Sequence, residues 1–232
     1  MIESYDSLIR RAVPRYDEMI ARLLEYLPPD AGSILELGCG TGNLSLELRA
    51  KFPRSLLSLV DASPEMVALT RSRIDQAISA APPPVGFLVR RFEELDLPDG
   101  PVDVVVSSIS LHHVENKAML YARVRSFLNR GGRFCFADQI RGEPESNHRV
   151  NWERWLAFCR ERGHCTPEEI ESLLQHAHAH DHYTTLTDHI ALLSKAGFSE
   201  IDCVWRNGMW GIVTATAAQE HEISIDRTPA RL

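Results

Sequence analysis

The chain has 232 residues, 44% of them apolar and 25% charged, the balance of an ordinary globule long enough to bury a sizeable core. A formal net charge of −7 argues against the broad positive footprint of a nucleic-acid binder, and no run approaches the roughly 20 apolar residues of a membrane span. The opening Met1-Ile2-Glu3-Ser4-Tyr5-Asp6 carries an acid where a secretory leader carries bases, and the five scattered cysteines match no zinc or redox spacing. A cytoplasmic protein with free thiols is expected, acting on a small molecule without nucleic acid or membrane, with a homodimer as a possible assembly.

Residues 5–26 read as an amphipathic helix interrupted by Pro14. Short β-branched runs follow at 33–37, 56–61, 86–90, 102–107, 133–138, 201–206 and 209–216. The first five are continuously apolar, as in a parallel sheet buried on both faces. Helical stretches at 42–51, 64–78 and 116–128 alternate with them, which predicts βαβ units in an α/β layered fold.

Boundary residues support that division. Ser63-Pro64-Glu65 places a capping hydroxyl, a first-turn proline and an acid at a helix start. Asn129-Arg130-Gly131-Gly132 is expected to end a helix, and Ala80-Ala81-Pro82-Pro83-Pro84 to form a stiff turn. Residues 141–193 form a long helical insertion. In it Trp152, Trp155 and Phe158 fall at helical spacing, either as core or as the roof of an apolar pocket. The last two strands are predicted to meet across Asn207-Gly208 as a hairpin, and the polar tail 220–232 to fray.

The run Ile34-Leu35-Glu36-Leu37-Gly38-Cys39-Gly40-Thr41-Gly42 ends a strand and opens a helix. Its glycines remove side chains where backbone N–H groups and a positive helix end would face a ligand. A dinucleotide fingerprint would require glycine at position 43, where Asn43 stands. The next strand ends at Asp61, placed to accept two hydrogen bonds from ribose hydroxyls or to cap the following helix. Met66 on that helix is placed to pack on an adenine or within the core.

The stretch from Ser33 to Asp138 resembles the class I S-adenosylmethionine (SAM)-dependent methyltransferases in order, spacing and sequence. The resemblance is carried by Ile34 to Gly42, Val60-Asp61-Ala62-Ser63-Pro64-Glu65-Met66, Val102 to Val114 and Leu128-Asn129-Arg130-Gly131-Gly132-Arg133. Arg11-Ala12-Val13-Pro14-Arg15-Tyr16 and Leu192-Leu193-Ser194-Lys195-Ala196-Gly197-Phe198 resemble the branch near the carboxy-SAM synthases. The resemblance implies a Rossmann-like, seven-stranded, mostly parallel sheet that closes in an antiparallel hairpin. It implies a helical cap between the fifth and sixth strands, and one domain over 1–232 in which 5–26 and 141–193 form a lid. SAM is the implied cofactor and a small molecule the implied acceptor. The implied cofactor contacts are Tyr16, Glu36, Gly38, Cys39, Gly40, Asn43, Asp61, Ala62, Met66, Arg91, Phe92, Glu93, Ser107 and Ser108.

Two positions depart from the relatives. Arg91 falls where many members place an aspartate for the adenine amino group, leaving the task to Phe92's backbone or Glu93. The arginine that holds the extra carboxylate in carboxy-SAM synthases is missing: Leu174 stands near that position, and no Arg or Lys lies between Ile170 and Ile190. Ordinary SAM is therefore expected. A carboxy-SAM-synthase-like enzyme, a nicotinamide-dependent dehydrogenase and a SAM-binding regulator without catalysis are the rival readings.

Six of the ten histidines lie between His164 and His189. His176/His180 and His178/His182 are i,i+4 pairs able in principle to clamp a metal, but an exposed helix face with some substrate-lining residues is the reading taken, with no metal site. His182 and Tyr183 are the substrate-facing candidates there. His112 and His113, after the fourth strand, are candidates to take a proton from an attacking atom or to pack on the adenosine.

Overall fold

The computed structural model describes residues 2–77, 84–96 and 100–218, with side chains from Asp6 onward. The proline-rich turn at 80–84, apart from Pro84, and the tail at 220–232 lie outside the described residues.

Two helices come first, α1 (Ile2–Ala12) and α2 (Tyr16–Glu25). They are two elements and not one interrupted helix, because Arg15 adopts a left-handed φ of 62° beside Pro14. Then follow β1 (Ser33–Leu37), α3 (Asn43–Lys51), β2 (Leu56–Asp61), α4 (Pro64–Ala77), β3 (Val85–Val89), β4 (Val102–Ser108), α5 (Lys117–Phe127) and β5 (Leu128–Arg141). The chain continues through α6 (Glu145–Glu161), α7 (Pro167–His180), the two-residue β6 (Thr184–Thr185), α8 (Leu186–Lys195), β7 (Phe198–Asn207) and β8 (Trp210–Ala217).

The sheet runs β3-β2-β1-β4-β5-β8-β7, with β6 pairing only to the end of β5. β1 to β5 pair in parallel, whereas β8 is antiparallel to both β5 and β7. Successive strand residues face opposite sides, and both sides are buried. Ile34, Leu57, Leu59, Val104 and Val106 pack against α2, α3 and α4, while Leu35, Leu37, Val60 and Val105 pack against α5 and α8.

Three boundaries differ from the sequence reading. The helix expected to run to 128 stops at Phe127, and Asn129 to Gly132 form an irregular stretch inside β5. A Cβ on Gly132 would lie 2.8 Å from the Asn129 carbonyl oxygen, so close backbone packing, and not a helix cap, requires that glycine. The hairpin turn is Gly208-Met209, one residue later than expected, because Asn207 pairs with Trp210. The stretch 141–193 is not wholly helical: β6 interrupts it, and α8 packs its Leu193 into the sheet core.

Candidate active site

β1 lies between β2 and β4, so the strand order reverses there and the carboxyl ends of β1 and β4 open a crevice. The glycine turn enters it with Gly38, Gly40 and Gly42 at φ values of 76°, 50° and 89°. Gly38 is also required sterically, since a Cβ would stand 2.3 Å from Ser110 Oγ. The Gly38 and Cys39 N–H groups donate to the Val60 carbonyl at 2.8 and 2.9 Å, which ties the turn to β2. Asp61, the next residue, accepts from Gly40 N–H and Ser63 N–H, each at 2.9 Å. It thus braces the turn and the start of α4 together, and each oxygen retains a lone pair for a ligand hydroxyl.

These residues line a cavity of about 420 Å³, within the usual range for a small cofactor. Of the expected contacts, Tyr16, Glu36, Gly38, Cys39, Gly40, Asn43, Asp61, Met66 and Ser108 line it. The other five do not. Ser107 is fully buried with its hydroxyl on the Leu37 carbonyl at 2.8 Å. Ala62 is exposed, as is Arg91, whose guanidinium lies 3.6 Å from Glu93. Phe92 and Glu93 sit in the short 3₁₀ turn after β3, where the Phe92 ring backs Gly38 from outside the cavity lining. Ile9, Ile109, Ser110, His113 and His176 also line the cavity and were absent from the expected cofactor contacts.

Glu36 is buried at the cavity wall and accepts from Ser45 Oγ at 2.6 Å. Burial pushes its carboxyl up to about 8, so at neutral pH it holds a proton until a cation compensates it. The ammonium group of SAM is such a cation. Burial likewise pushes the Cys39 thiol up, which keeps it from acting as a nucleophile. Among the described residues no Arg or Lys lines this cavity. The cradle therefore fits SAM and offers an additional carboxylate no guanidinium or ammonium group, only the imidazoles of His113 and His176.

Helix α1 is tied to the glycine turn through Asp6. Its Oδ1 accepts from Thr41 Oγ1 at 2.5 Å and from Asn43 Nδ2 at 3.0 Å, and its Oδ2 pairs with Arg73 at 2.8 Å. Five residues on, Arg11 grips Glu169 of α7 bidentately at 2.8 and 2.5 Å. One short helix thus links the cofactor turn to the α6–α7 pair.

A second cavity of about 250 Å³ lies under α6 and α7, and it shares Ile9, Ile109, His113 and His176 with the first. Ile109 has a left-handed φ of 54°, a conformation costing a β-branched residue on the order of 1–3 kcal/mol. Trp155 and Trp210 contribute apolar wall. Among the residues lining it, Trp210 Nε1, Gln139 Oε1 and Asp181 Oδ1 are buried without a hydrogen-bond partner.

His112 and Asp138 sit deepest. Asp138 accepts from the His112 backbone N–H at 3.0 Å and pairs with its ring Nδ1 at 2.5 Å. Burial opposes charge on both, but their mutual attraction outweighs it, raising the imidazole and lowering the carboxyl. Tyr183 donates to Asp181 Oδ2 at 2.6 Å, and Asp181 Oδ1 faces His113 Nδ1 at 3.2 Å. Buried Lys117 donates to the Val114 and His182 carbonyls, which pins the loop after β4 to the chain leaving α7.

Of the four residues expected on the substrate side, His112, His113 and Tyr183 come together. His182 does not: its side chain is exposed and only its backbone is used, N–H to the His112 carbonyl at 2.8 Å and carbonyl to Lys117. Pinning that backbone in place turns the ring away from the cluster. Asp138 and Asp181 could not be assigned roles from sequence, since only the ends of β5 and α7 bring them to the histidines.

Residues 34–132 match the family model described as a methyltransferase domain. The chain is 28% identical to an uncharacterized methyltransferase of Bacillus cytotoxicus over 84% of each chain. It is 27% identical to a carboxy-S-adenosyl-L-methionine synthase of Pectobacterium atrosepticum, over 93% of this chain and 88% of that one. A SAM-dependent methyltransferase structure from Methanosarcina mazei superposes with a TM-score of 0.60 at 19% identity, covering 86% of this chain and 98% of that one. Residues 34–132 thus match a methyltransferase domain, and the fold is that of SAM-dependent methyltransferases. The residues lining the cradle fit SAM.

Proposed function

We propose that the protein transfers the SAM methyl group to a small, largely apolar acceptor held in the cavity beneath α6 and α7. The observation that carries this reading is the wall common to the two cavities, formed by Ile9, Ile109, His113 and His176. Methyl transfer from a sulfonium requires chiefly that donor and nucleophile be aligned and dry. A cavity of about 250 Å³ opening on the cofactor cleft meets that requirement for a compact acceptor. Its unpaired Trp210 donor and Gln139 and Asp181 acceptors suit an acceptor with polar edges as well as an apolar body.

Within this reading the nine lining residues and Ser63 hold the cofactor. Glu36 meets its amino-acid end, Asp61 its ribose, and Met66 its base. His113, steadied by Asp181, lies against both ligands, and with His112 and Tyr183 it orients the nucleophile. Helix α1 and the α6–α7 pair serve as the lid over one domain. The acidic surface and unpaired cysteines suit a cytoplasmic enzyme, monomeric or homodimeric. The lack of an arginine or lysine among the described residues lining the cleft favours SAM over a carboxylated form.

The test is incubation of the protein with methyl-labelled SAM and metabolite extracts, followed by mass spectrometry. A labelled compound of low mass is expected. If none forms while calorimetry shows tight SAM binding, the chain senses SAM and does not consume it.

A further inference from the structure

The polar end of the acceptor cavity carries more imidazole than proton transfer needs. Ligand-capable atoms of His112, His113 and Asp181 all lie within 4.8 Å of one another. Around Asp181 Oδ1 stand His113 Nδ1 at 3.2 Å, His112 Nε2 at 3.7 Å and His176 Nε2 at 3.9 Å. Adjacent ligands of a tetrahedral zinc ion are separated by about 3.3 Å, given metal–ligand bonds of about 2.0–2.1 Å. The His113 and His112 spacings fall within about 0.4 Å of that edge, and the His176 spacing lies about 0.6 Å beyond it.

Two independent features point the same way. The Asp181 carboxylate is only 4% exposed, yet Oδ1 receives no well-directed hydrogen bond, its contact with His113 Nδ1 at 3.2 Å being an ion-pair contact, whereas its partner oxygen is satisfied by Tyr183. A buried anionic oxygen facing three nitrogens in this way is suited to a cation. Behind His112, Asp138 takes Nδ1 and leaves Nε2 to face the cluster. A carboxylate behind an imidazole is the arrangement that fixes a ligating histidine's tautomer and raises its basicity.

We propose that His112, His113 and Asp181 bind one divalent ion of the zinc class at the end of the acceptor cavity. Asp138 orients His112, and His176 stands beside the group as a fourth ligand or as the flank of an open position. Three protein ligands and an open position are the pattern of a metal that takes a substrate atom. An acceptor bearing a hydroxyl or carboxylate would bind there through oxygen, so the proposal rests on the methyltransferase reading and narrows its substrate class. It concerns residues from three separate segments, the loop after β4, α7 and the turn beyond it. Of the i,i+4 histidine pairs read from the sequence, His176 is the member that stands at this group, 3.9 Å from Asp181 Oδ1.

The test uses chelator-treated full-length protein titrated with Co²⁺, followed by visible absorption and circular dichroism. One ion per chain is expected, with d–d bands of an imidazole-bound ion. His113→Ala and Asp181→Asn should each weaken binding at least tenfold, and Asp138→Asn by about 10–100-fold. His178→Ala should leave it unchanged. Should a variant fail to fold, X-ray absorption of the zinc-loaded wild type decides, with two or more imidazoles expected. Absence of stoichiometric binding, a shell without imidazole, or binding lost with His178 but kept in Asp181→Asn would each overturn the assignment. SAM calorimetry on the same metal-free samples keeps the two readings apart: SAM binding without a metal site sinks only this inference, and a metal site without SAM binding sinks only the methyltransferase reading.

Discussion

Asp138, near the carboxyl end of β5, holds His112 twice, through the backbone N–H and through ring Nδ1. The double grip sets the position of the loop after β4 as well as the ring's tautomer. Asp138→Asn keeps the shape but removes the charge from two bonds worth on the order of 1.5–3 kcal/mol each when charge-assisted. Urea unfolding is expected to show a loss of at least about 1.5 kcal/mol, with SAM affinity in calorimetry within about threefold of wild type. Equal stability in the variant would show that the pair does not hold the loop.

Glu36 gives the cofactor cleft a distinct response to pH. Its folded carboxyl keeps a proton to about 8, whereas the unfolded chain releases it near the ordinary value of 4.5. Between those values the folded state binds more protons, so this group's contribution to stability is full below 4.5 and declines as pH rises towards 8. Glu36→Gln should flatten that decline. SAM affinity in the wild type should rise across the upper part of the window, because the ammonium group selects the carboxylate. In Glu36→Gln the affinity should be lower at pH 8 and nearly independent of pH, as calorimetry at several pH values would show.

In the proposed reading Asp61 both braces the turn and accepts from the ribose, and substitutions separate these duties. Asp61→Ala removes both the brace on Gly40 and Ser63 and the acceptors for the ribose, so SAM binding should weaken about 100-fold. Asp61→Asn retains one acceptor oxygen and should lose about tenfold. Equal affinity in both variants by calorimetry would remove Asp61 from the cofactor site.

Gly38→Ala introduces a Cβ 2.3 Å from Ser110 Oγ at a φ of 76°. Neither the backbone nor the buried serine, whose hydroxyl bonds to the Leu37 carbonyl and to Ser107, has room to yield. A loss of more than about 2 kcal/mol in unfolding free energy is expected, together with weaker SAM binding. By contrast, Gly40→Ala meets no atom within 4 Å and should cost mainly the left-handed backbone, about 1 kcal/mol.

The lining of the glycine-turn cavity was legible because it is local. Gly38 to Gly42 and Asp61 are strand-end residues whose chemistry is fixed by their own dihedrals and by the adjacent parallel strand. Arg91 to Glu93 and Ser107 were expected from family position, and a 3₁₀ turn and the alternation along a strand leave them outside the cavity lining. The sheet was legible from its apolar runs, but the Gly208-Met209 turn was not, since register depends on pairing between strands and not on the turn dipeptide alone. Asp181, His176 and Asp6 were not legible as site residues. Their positions depend on how α1, α6 and α7 pack, which no local pattern encodes.

The tether of α1 bears on the rhythm of turnover. Asp6 bonds to Thr41 and Asn43 of the glycine turn and pairs with Arg73, and both members of the ion pair are partly open to solvent, at 21% and 30% exposure. Ile9 of the same helix touches both cavities. If departure of the demethylated cofactor requires this helix to lift, the slow step of the cycle is electrostatic in character. Added salt would then quicken the steady state while leaving a single turnover unchanged, and the helix would act as the molecule's escapement.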